Sequence, residues 1–202
     1  MKIAIMVEGK TEKVFMPFLR EFLQARLAGQ MPKLDTDRFD GPIPKGATLK
    51  RRVEILLSGK DPADAVIALT DVYTGTSDFI NAQDAKNKMQ AWVGNNSQFY
   101  PHAAQYDFEA WLLPYWSEIK KRAGSNHTQP SGSPENVNHN KPPSKRLQEV
   151  YRTGSKKRSY VKEREAAGIL RGKNLMIAIV ACNELKAFIN TILSLCNSAP
   201  IP

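Results

Sequence analysis

The first fifteen residues constrain the fold more than any other part of this sequence. A short apolar run, Ile3–Val7, stops abruptly at the polar segment Glu8–Glu12, and a helical pattern of apolar residues follows. A run of this length, rich in β-branched residues, is typical of a strand that is buried on both faces. Gly9 allows a turn, and Glu12 favours a helix start because an acid in the first turn offsets the positive end of the helix. We therefore predict a strand, a tight turn and a helix.

Glu8 would lie at the carboxyl end of this first strand. Open α/β sheets place their ligands and catalytic groups at that end of their strands. Glu12, one helical turn later, could turn back toward the same point. Two acids that converge at the edge of a sheet indicate a divalent cation rather than a requirement of the fold.

The rest of the chain alternates strand-like and helix-like patterns. Apolar runs predict further strands over Asp64–Asp71 and Phe99–Gln105, and residues 29–47 read as irregular chain with room for one short strand. Apolar spacings of three and four predict helices over 14–28 (with Pro17 in the opening turn), 49–57 and 82–93. Strands separated by helices predict an α/β protein with a mostly parallel sheet and helices on both faces.

Composition divides the chain into three segments. We predict a core over residues 1–120, a flexible polar loop over 121–144, and a basic helical extension over 145–202 that packs on the core. The polar loop is rich in Ser, Gly, Asn, His and Pro. In the extension, Ser144 is expected to cap a helix over Lys145–Tyr151, and Leu175–Leu195 is expected to form a terminal helix.

The charge indicates an anionic partner. The formal net charge is +9 with an isoelectric point near 9.6, and nucleic acid is the leading candidate. The segment Lys145–Lys173 carries ten Lys or Arg residues against three Glu. A solvated face or tether explains such a run equally well, and both interpretations stay open.

Cysteine use and hydropathy indicate a cytoplasmic protein. Cys182 and Cys196 are the only cysteines, both in an apolar helical stretch, and are expected to be free, buried thiols in a reducing compartment. The apolar run behind Lys2 is too short for a signal peptide or a membrane span. The sequence has no P-loop, so we expect no ATPase activity from this chain.

All three apolar strands end in acids. Carboxyl ends of parallel strands lie along one edge of a sheet, and carboxylates brought together there repel each other unless a cation neutralises them. Mg²⁺ (or Mn²⁺) suits this role because it prefers oxygen ligands and keeps waters that can act as nucleophiles. Taken singly, Glu12, Asp71 or Asp107 could merely cap a helix. Their recurrence predicts a metal site with five ligands: Glu8, Glu12, Asp71, Asp107 and Glu109.

Three motifs carry a resemblance to a known family. The segments Val7–Glu12, Leu69–Tyr73 and Tyr106–Leu113 follow the order seen in Toprim-like proteins. The chain most resembles the bacterial Toprim-like family catalogued as domain of unknown function 4276, which is related to the OLD-type (overcoming-lysogenisation-defect) nucleases. The likeness extends to 134–138, 143–147 and 160–162, and so covers nearly the whole chain.

This resemblance implies a Toprim fold and a set of site residues. The Glu of the first Toprim motif is catalytic or binds Mg²⁺, which implies that role for Glu8. OLD-type nucleases use a second acid one turn later, which matches Glu12. A late lysine assists their chemistry, and Lys162 is the matching candidate here.

The second motif departs from the family pattern. Toprim proteins usually have Asp-x-Asp, whereas this chain has Asp71-Val72-Tyr73. Loss of the second carboxylate could weaken one metal site or shift a ligand role to Asp107 or Glu109. Tyr73 could instead stack on a base or sugar.

The leading functional hypothesis is a Mg²⁺-dependent nuclease acting on DNA or RNA. Lys162 would stabilise charge on the phosphate, and a wider set of residues would contact nucleic acid: Lys10, Tyr73, Lys145, Arg146, Lys156, Lys157 and Arg158. The resemblance further implies a role in phage defence with an ATPase partner. The alternative is a non-catalytic Toprim-like subunit that binds nucleic acid or a protein; a metal-free structural acid cluster is a third. The oligomeric state stays open.

Overall fold

A parallel sheet organises the molecule. The computed structural model describes residues 1–27, 29–39, 41–73, 78–136 and 141–202, without the side chain of Lys10. The described strands are β1 (Lys2–Val7), β2 (Lys33–Arg38), β3 (Ala65–Asp71) and β4 (Phe99–Ala104), all paired in parallel in the order β2-β1-β3-β4. The three predicted strands are present, and β2 is the short strand for which residues 29–47 left room.

Helices connect and follow the strands. They are α1 (Lys10–Leu27), α2 (Gly46–Ser58), α3 (Ala82–Val93), a 3-10 helix (Phe108–Tyr115) that leads into α4 (Trp116–Ala123), α5 (Pro143–Thr153), α6 (Lys162–Leu170), α7 (Met176–Ala181) and α8 (Asn183–Leu195). Across the described ranges, no helix has the length and apolar character that crossing a bilayer requires.

The sheet is covered on both faces. Because side chains alternate along a strand, Ile3 and Ile5 of β1 enter one core while Ala4 and Met6 enter another. Residues of α2 and α3 complete the second core, and the first contains α1 together with the 3-10 helix and all later helices. The predicted class, an α/β protein with helices on both faces of a parallel sheet, is confirmed.

The C-terminal helices contribute directly to the larger core. Leu147, Tyr151 and Phe188 are fully buried there together with Ile3 and Ile5 of the central strand. Inside the polar segment 121–144, Ser125 and Glu135 are also buried. Cys182 and Cys196 are free and buried, as predicted.

Several helix boundaries differ from the sequence prediction. Helix α1 begins at Lys10, so that Pro17 lies in its interior and not in its opening turn. Helix α5 begins at Pro143, and Ser144 therefore lies within the first turn and does not cap the helix. Helix α6 was not predicted, because its many charged residues obscure the apolar spacing.

The predicted helix over Leu175–Leu195 is broken at Cys182. The backbone of Cys182 is extended, with φ −126° and ψ 106°. The carboxylate of Glu135, from the polar segment, accepts a hydrogen bond from the backbone N–H of Glu184 at 3.1 Å. In a continuous helix this N–H would bond the carbonyl of Val180. The carboxylate thus accepts a hydrogen bond at the start of a separate helix, α8.

Candidate active site

Three adjacent strands deliver acids to one edge of the sheet. Glu8 follows β1 directly, Asp71 is the last residue of β3, and Asp107 follows β4 at the start of the 3-10 helix. The parallel pairing of β1 with β3 and of β3 with β4 places these three ends side by side. The structure thus brings together the acids that the sequence singled out.

Two further acids join from the helices that begin at this edge. Glu12 comes from the first turn of α1, and Glu109 comes from the first turn of the 3-10 helix. The carboxylate of Asp71 interacts electrostatically with all four others, and each of them raises its pKa. Glu8, Glu12, Asp71, Asp107 and Glu109 therefore form one group, which we call the acid cluster.

Burial makes the acid cluster electrostatically unfavourable. Glu8 is 8% exposed, Glu12 5%, Asp107 2% and Glu109 0%. Removal from water raises the pKa of Glu8 and that of Glu109 to about 7, and the neighbouring carboxylates add to both shifts. The pKa values of Glu12 and Asp107 are also raised, mainly by burial. Asp71 retains some exposed surface as a residue, yet burial of its carboxyl raises its pKa well above the ordinary value.

Local hydrogen bonds hold the carboxylates in place. The hydroxyl of Thr70 donates to Oε1 of Glu8, and the backbone N–H groups of Asp71 and Ile43 also donate to this carboxylate. The backbone N–H of Ser144 donates to Oδ2 of Asp107 at 3.0 Å. These groups fix the directions in which the carboxylates point.

Glu12 folds back over the turn that precedes α1. Its carboxylate accepts hydrogen bonds from the backbone N–H groups of Gly9 and of Glu12 itself. A Cβ at position 9 would lie 2.9 Å from Oε2 of Glu12, closer than ordinary packing allows. A side chain at position 9 would therefore displace the carboxylate of Glu12 from its observed position. These two hydrogen bonds cap the start of α1, as the capping interpretation of Glu12 predicted. The same side chain also belongs to the acid cluster.

Asp107 does not cap the helix that it precedes. It occupies the N-cap position of the 3-10 helix, but its side chain makes no capping hydrogen bond there and is held by Ser144 instead. The preceding residue, Tyr106, has φ +69°, in the left-handed region that few residues other than glycine adopt. The carbonyl of Tyr106 accepts a hydrogen bond from the N–H of Tyr73. This contact joins the chain beyond β4 to the chain beyond β3 at the mouth of the site.

Lys162 supplies a cation to the acid cluster. It is the first residue of α6, and its Nζ lies 3.2 Å from Oε1 of Glu109. Burial lowers the pKa of Lys162, but the carboxylates of Glu109 and Asp71 outweigh burial, and the net shift is upward. The lysine is therefore charged at neutral pH. The structure therefore places Lys162 beside the acids, and its role in catalysis stays a prediction.

The acid cluster has the donors that a hard cation requires. All of its donors are oxygens, and among the described residues Oδ1 of Asp107 is buried without a hydrogen-bond partner, while the carboxylate of Glu109 has the ammonium of Lys162 beside it. Over the same described ranges, however, no three His, Cys, Asp or Glu side chains are arranged closely enough to hold a metal ion as they stand. The donor types fit Mg²⁺ or Mn²⁺, while the observed side-chain positions would have to draw together. Metal binding remains a prediction.

The predicted nucleic-acid contacts lie in different environments. Tyr73 is 51% exposed and follows the end of β3. Lys145, Lys156, Lys157 and Arg158 are exposed, while Arg146 is half-buried. The side chain of Lys10 lies outside the described residues, as do Val137 and Asn138 of the motif at 134–138. No contact in the structure tests whether these residues bind nucleic acid.

Sequence reasoning missed two residues that support the acid cluster. Thr70 lies opposite Glu8, because Val7 pairs in register with Leu69, and its hydroxyl donates to the carboxylate of Glu8 across the two neighbouring strands. Ser144 is distant in sequence from Asp107, and the backbone group that contacts it has no sequence signature. The one available sequence signal for Thr70 was that it is a polar residue in an otherwise apolar strand, directly before the acid that ends the strand.

Together, the fold and the acid cluster define an α/β protein with a buried acidic site at the carboxyl edge of a parallel sheet. The chain belongs to the family described as domain of unknown function DUF4276, whose model matches residues 7–193. The family predicted from the motifs is therefore confirmed. No functionally curated protein matches the sequence.

Solved structures with a similar fold are C-terminal regions of OLD proteins. The one from Burkholderia pseudomallei is 14% identical over 96% of this chain and 96% of its own, with a TM-score of 0.49. The one from Xanthomonas campestris pv. campestris is 13% identical over 96% of this chain and 94% of its own, with a TM-score of 0.48.

Proposed function

We propose that this protein is a metal-dependent nuclease that cleaves phosphodiester bonds in DNA or RNA. The observation that carries the proposal is the acid cluster itself, in which three carboxylates from strand ends and two from helix starts lie together beside one lysine. Such an arrangement destabilises the fold when the carboxylates are charged, and a divalent cation would relieve that repulsion. Buried groups with raised pKa values are also typical of functional sites.

The carboxylates of the acid cluster would hold Mg²⁺ or Mn²⁺. When bound, such an ion supplies positive charge to the phosphate oxygens and activates a water molecule as the nucleophile. Because Glu8 and Glu109 have pKa values of about 7, metal binding would displace protons from them, and metal affinity would increase with pH.

Residues around the metal ligands would position the substrate. Lys162, charged and 44% exposed at its side chain, would move from Glu109 to a phosphate oxygen and stabilise the charge that develops there. Thr70 would keep Oε1 of Glu8 oriented, and Ser144 would do the same for Oδ2 of Asp107. The basic residues around 145 and 156–158 would contact the sugar–phosphate backbone irrespective of sequence.

A biological role follows from the family resemblance alone. We propose that the nuclease acts in phage defence with an ATPase partner. Coexpression with a neighbouring ATPase gene, followed by a phage challenge of cells that carry the wild type or Glu8→Gln, tests this role. Protection by wild type and its loss in the variant are expected.

The second candidate is a non-catalytic subunit that binds nucleic acid or a protein. One observation favours it: where the Toprim pattern has a second acid, this chain has Tyr73, half-exposed and without a charge. In this case the acid cluster would bind a metal or remain protonated without supporting cleavage.

Cleavage assays with Mn²⁺ and Mg²⁺ separate these candidates. Single- and double-stranded DNA and RNA are incubated with wild type, Glu8→Gln and Lys162→Gln, with Glu149→Gln as a control that removes an exposed acid away from the cluster. Glu8→Gln should lose at least about 100-fold in rate, since even residues that only support a metal ligand are worth about 10- to 100-fold. Lys162→Gln should lower the rate without changing metal affinity. An absence of cleavage by wild type on every substrate, with and without an ATPase partner, would favour the binding subunit.

A further inference from the structure

A groove with a basic end lies beside the acid cluster, between α1 and α6 and over the end of β2. The larger part has a volume of about 570 Å³ and is lined by Lys13, Val14, Pro17, Phe18, Arg38 and Glu163, among others. A second part of about 380 Å³ shares Lys13, Pro17 and Arg38 with the first and adds Arg20 and Thr36. Both volumes lie in the range of small-molecule sites, roughly 300–1,000 Å³.

The groove exists because α1 leaves the end of the edge strand uncovered. Leu34, Thr36 and Arg38 of β2 share the face that points toward α1, since side chains alternate along a strand. Leu34 is 5% exposed, whereas Thr36 and Arg38 are both exposed. Arg20 of α1 reaches across to this strand and donates to the carbonyl of Leu34 at 2.8 Å. The open part of this face therefore begins beyond Leu34 and runs toward the carboxyl edge of the sheet.

Residues of the groove are next to residues of the acid cluster along the chain. Lys13 follows Glu12 in α1, and Glu163 follows Lys162 in α6. Arg38 pairs in register with Val7, the residue that precedes Glu8. A strand of nucleic acid with a phosphate at the acid cluster would therefore extend into the groove with its neighbouring nucleotide.

The lining has an apolar side and a basic side, which are complementary to the base and to the phosphate of a nucleotide. Val14 and Phe18 are half-buried and Pro17 is exposed, and together they form an apolar wall against which a base can lie. Lys13, Arg20 and Arg38 supply positive charge for a phosphate at the other side. Glu163 is the acidic group in the lining, and its carboxylate could accept a hydrogen bond from an amino group of a base.

We propose that this groove binds an unpaired nucleotide of the substrate strand, with the base against Val14, Pro17 and Phe18 and a phosphate against Lys13 and Arg38. A paired base is stacked between its neighbours and is not available to such a wall, so the groove selects single-stranded substrate over duplex. The proposal rests on the proposed action on nucleic acid and specifies the strandedness of the substrate.

Binding in EDTA, which prevents metal-dependent cleavage, tests the groove directly. Fluorescence anisotropy measures the affinity of wild-type protein for a 12-nucleotide single-stranded DNA and for the matching duplex at several salt concentrations. The double variant Lys13→Gln/Arg38→Gln removes the basic end. Its matched control, Lys50→Gln/Arg51→Gln, removes the same charge from exposed positions on α2, across the sheet. The variant Pro17→Ser removes part of the apolar wall without changing charge, and loss of a proline from a helix interior does not threaten folding.

The proposal predicts a specific pattern across these variants. Lys13→Gln/Arg38→Gln should weaken single-strand binding about tenfold or more and flatten its log–log salt dependence by about 0.7 for each phosphate that the variant no longer neutralises. Pro17→Ser should weaken single-strand binding several-fold with no change in salt dependence. Duplex affinity should change no more than it does in the α2 control.

Three outcomes would overturn the proposal. Equal losses of single-strand and duplex binding would mean that the groove adds only general positive charge. Single-strand binding that is unchanged in both groove variants would reject the groove and leave the proposed function standing. If wild-type protein binds no oligonucleotide in EDTA, the groove proposal fails, whereas the proposed function is decided separately by the cleavage assays with Mn²⁺ and Mg²⁺.

Discussion

The acid cluster and the basic turn over 156–158 are two charged regions that differ in burial: the first is buried and the second is exposed. In the acid cluster, Glu8, Asp107 and Glu109 are buried beside one another, with pKa values raised by removal from water. In the basic turn, Lys156, Lys157 and Arg158 are all exposed between α5 and α6. Both regions carry several charges of one sign.

This difference shows where charge is informative about function. Exposed like charges cost little because water screens them, so a basic turn can persist without any role. Buried like charges raise one another's pKa and destabilise the charged fold, so they persist where a ligand or a reaction needs them. The acid cluster is therefore the better candidate for a functional site, and both regions require a binding measurement.

The largest expected effect concerns the free energy of unfolding at high pH. Folding raises the pKa of Glu8 from 4.5 to about 7, so between these values the folded state binds more protons than the unfolded chain. The contribution of Glu8 is therefore fully present below pH 4.5 and is lost as the pH rises through 7. In EDTA, Glu8→Gln should be more stable than wild type at pH 8 by up to about 3 kcal/mol and about equal to it near pH 4.

Urea unfolding at pH 4 and pH 8 measures this difference. The control Glu149→Gln removes an exposed acid whose ion pair with Lys141 lowers its pKa, and it should not gain stability at pH 8. Added Mg²⁺ should raise the stability of wild type at pH 8 and leave Glu8→Gln unchanged, because the ion binds only the folded site. A difference between Glu8→Gln and wild type that does not vary with pH would contradict the electrostatic account of the acid cluster.

The next largest effect concerns the affinity of the basic turn for nucleic acid. Replacing Lys156, Lys157 and Arg158 together by Gln should weaken binding to every nucleic-acid sequence. It should also flatten the log–log salt dependence by about 0.7–0.9 for each phosphate that these side chains neutralise in the wild type. Anisotropy titrations at several salt concentrations measure both quantities. Unchanged affinity and slope would show that the basic turn is only a solvated surface.

The smallest expected effect comes from restoring the missing acid. Tyr73→Asp places a carboxylate two residues beyond Asp71, as in the usual Toprim motif, and should raise the Mn²⁺-dependent cleavage rate several-fold if a second metal is bound weakly at present. The uncharged variant Tyr73→Asn is the control and should not raise the rate. A lower rate together with weaker substrate binding in both variants would assign Tyr73 to the substrate instead.

Local patterns in the sequence were sufficient for the sheet and for the choice of acids. The apolar runs that end at Glu8, at Asp71 and before Asp107 specify strands and also mark which residues follow them, because a buried strand needs a continuous apolar stretch. The edge strand β2 and the charged helix α6 were harder to identify. Partly exposed elements mix polar and apolar residues and so lose the periodic signal.

Contacts between distant segments had to come from the tertiary structure. Thr70 and Ser144 orient Glu8 and Asp107, Glu135 breaks the C-terminal helix at Cys182, and Lys162 meets Glu109. The contact of Thr70 with Glu8 depends on which strands are neighbours and in what register. The other contacts depend on how helices and loops pack, and short-range patterns encode neither. The sequence by itself therefore determined which acids would share an edge, because strands that are separated by helices run parallel and so end at the same edge of the sheet. Only the tertiary structure decided how deeply those acids are buried and which groups hold them, because burial depends on the packing of the whole chain.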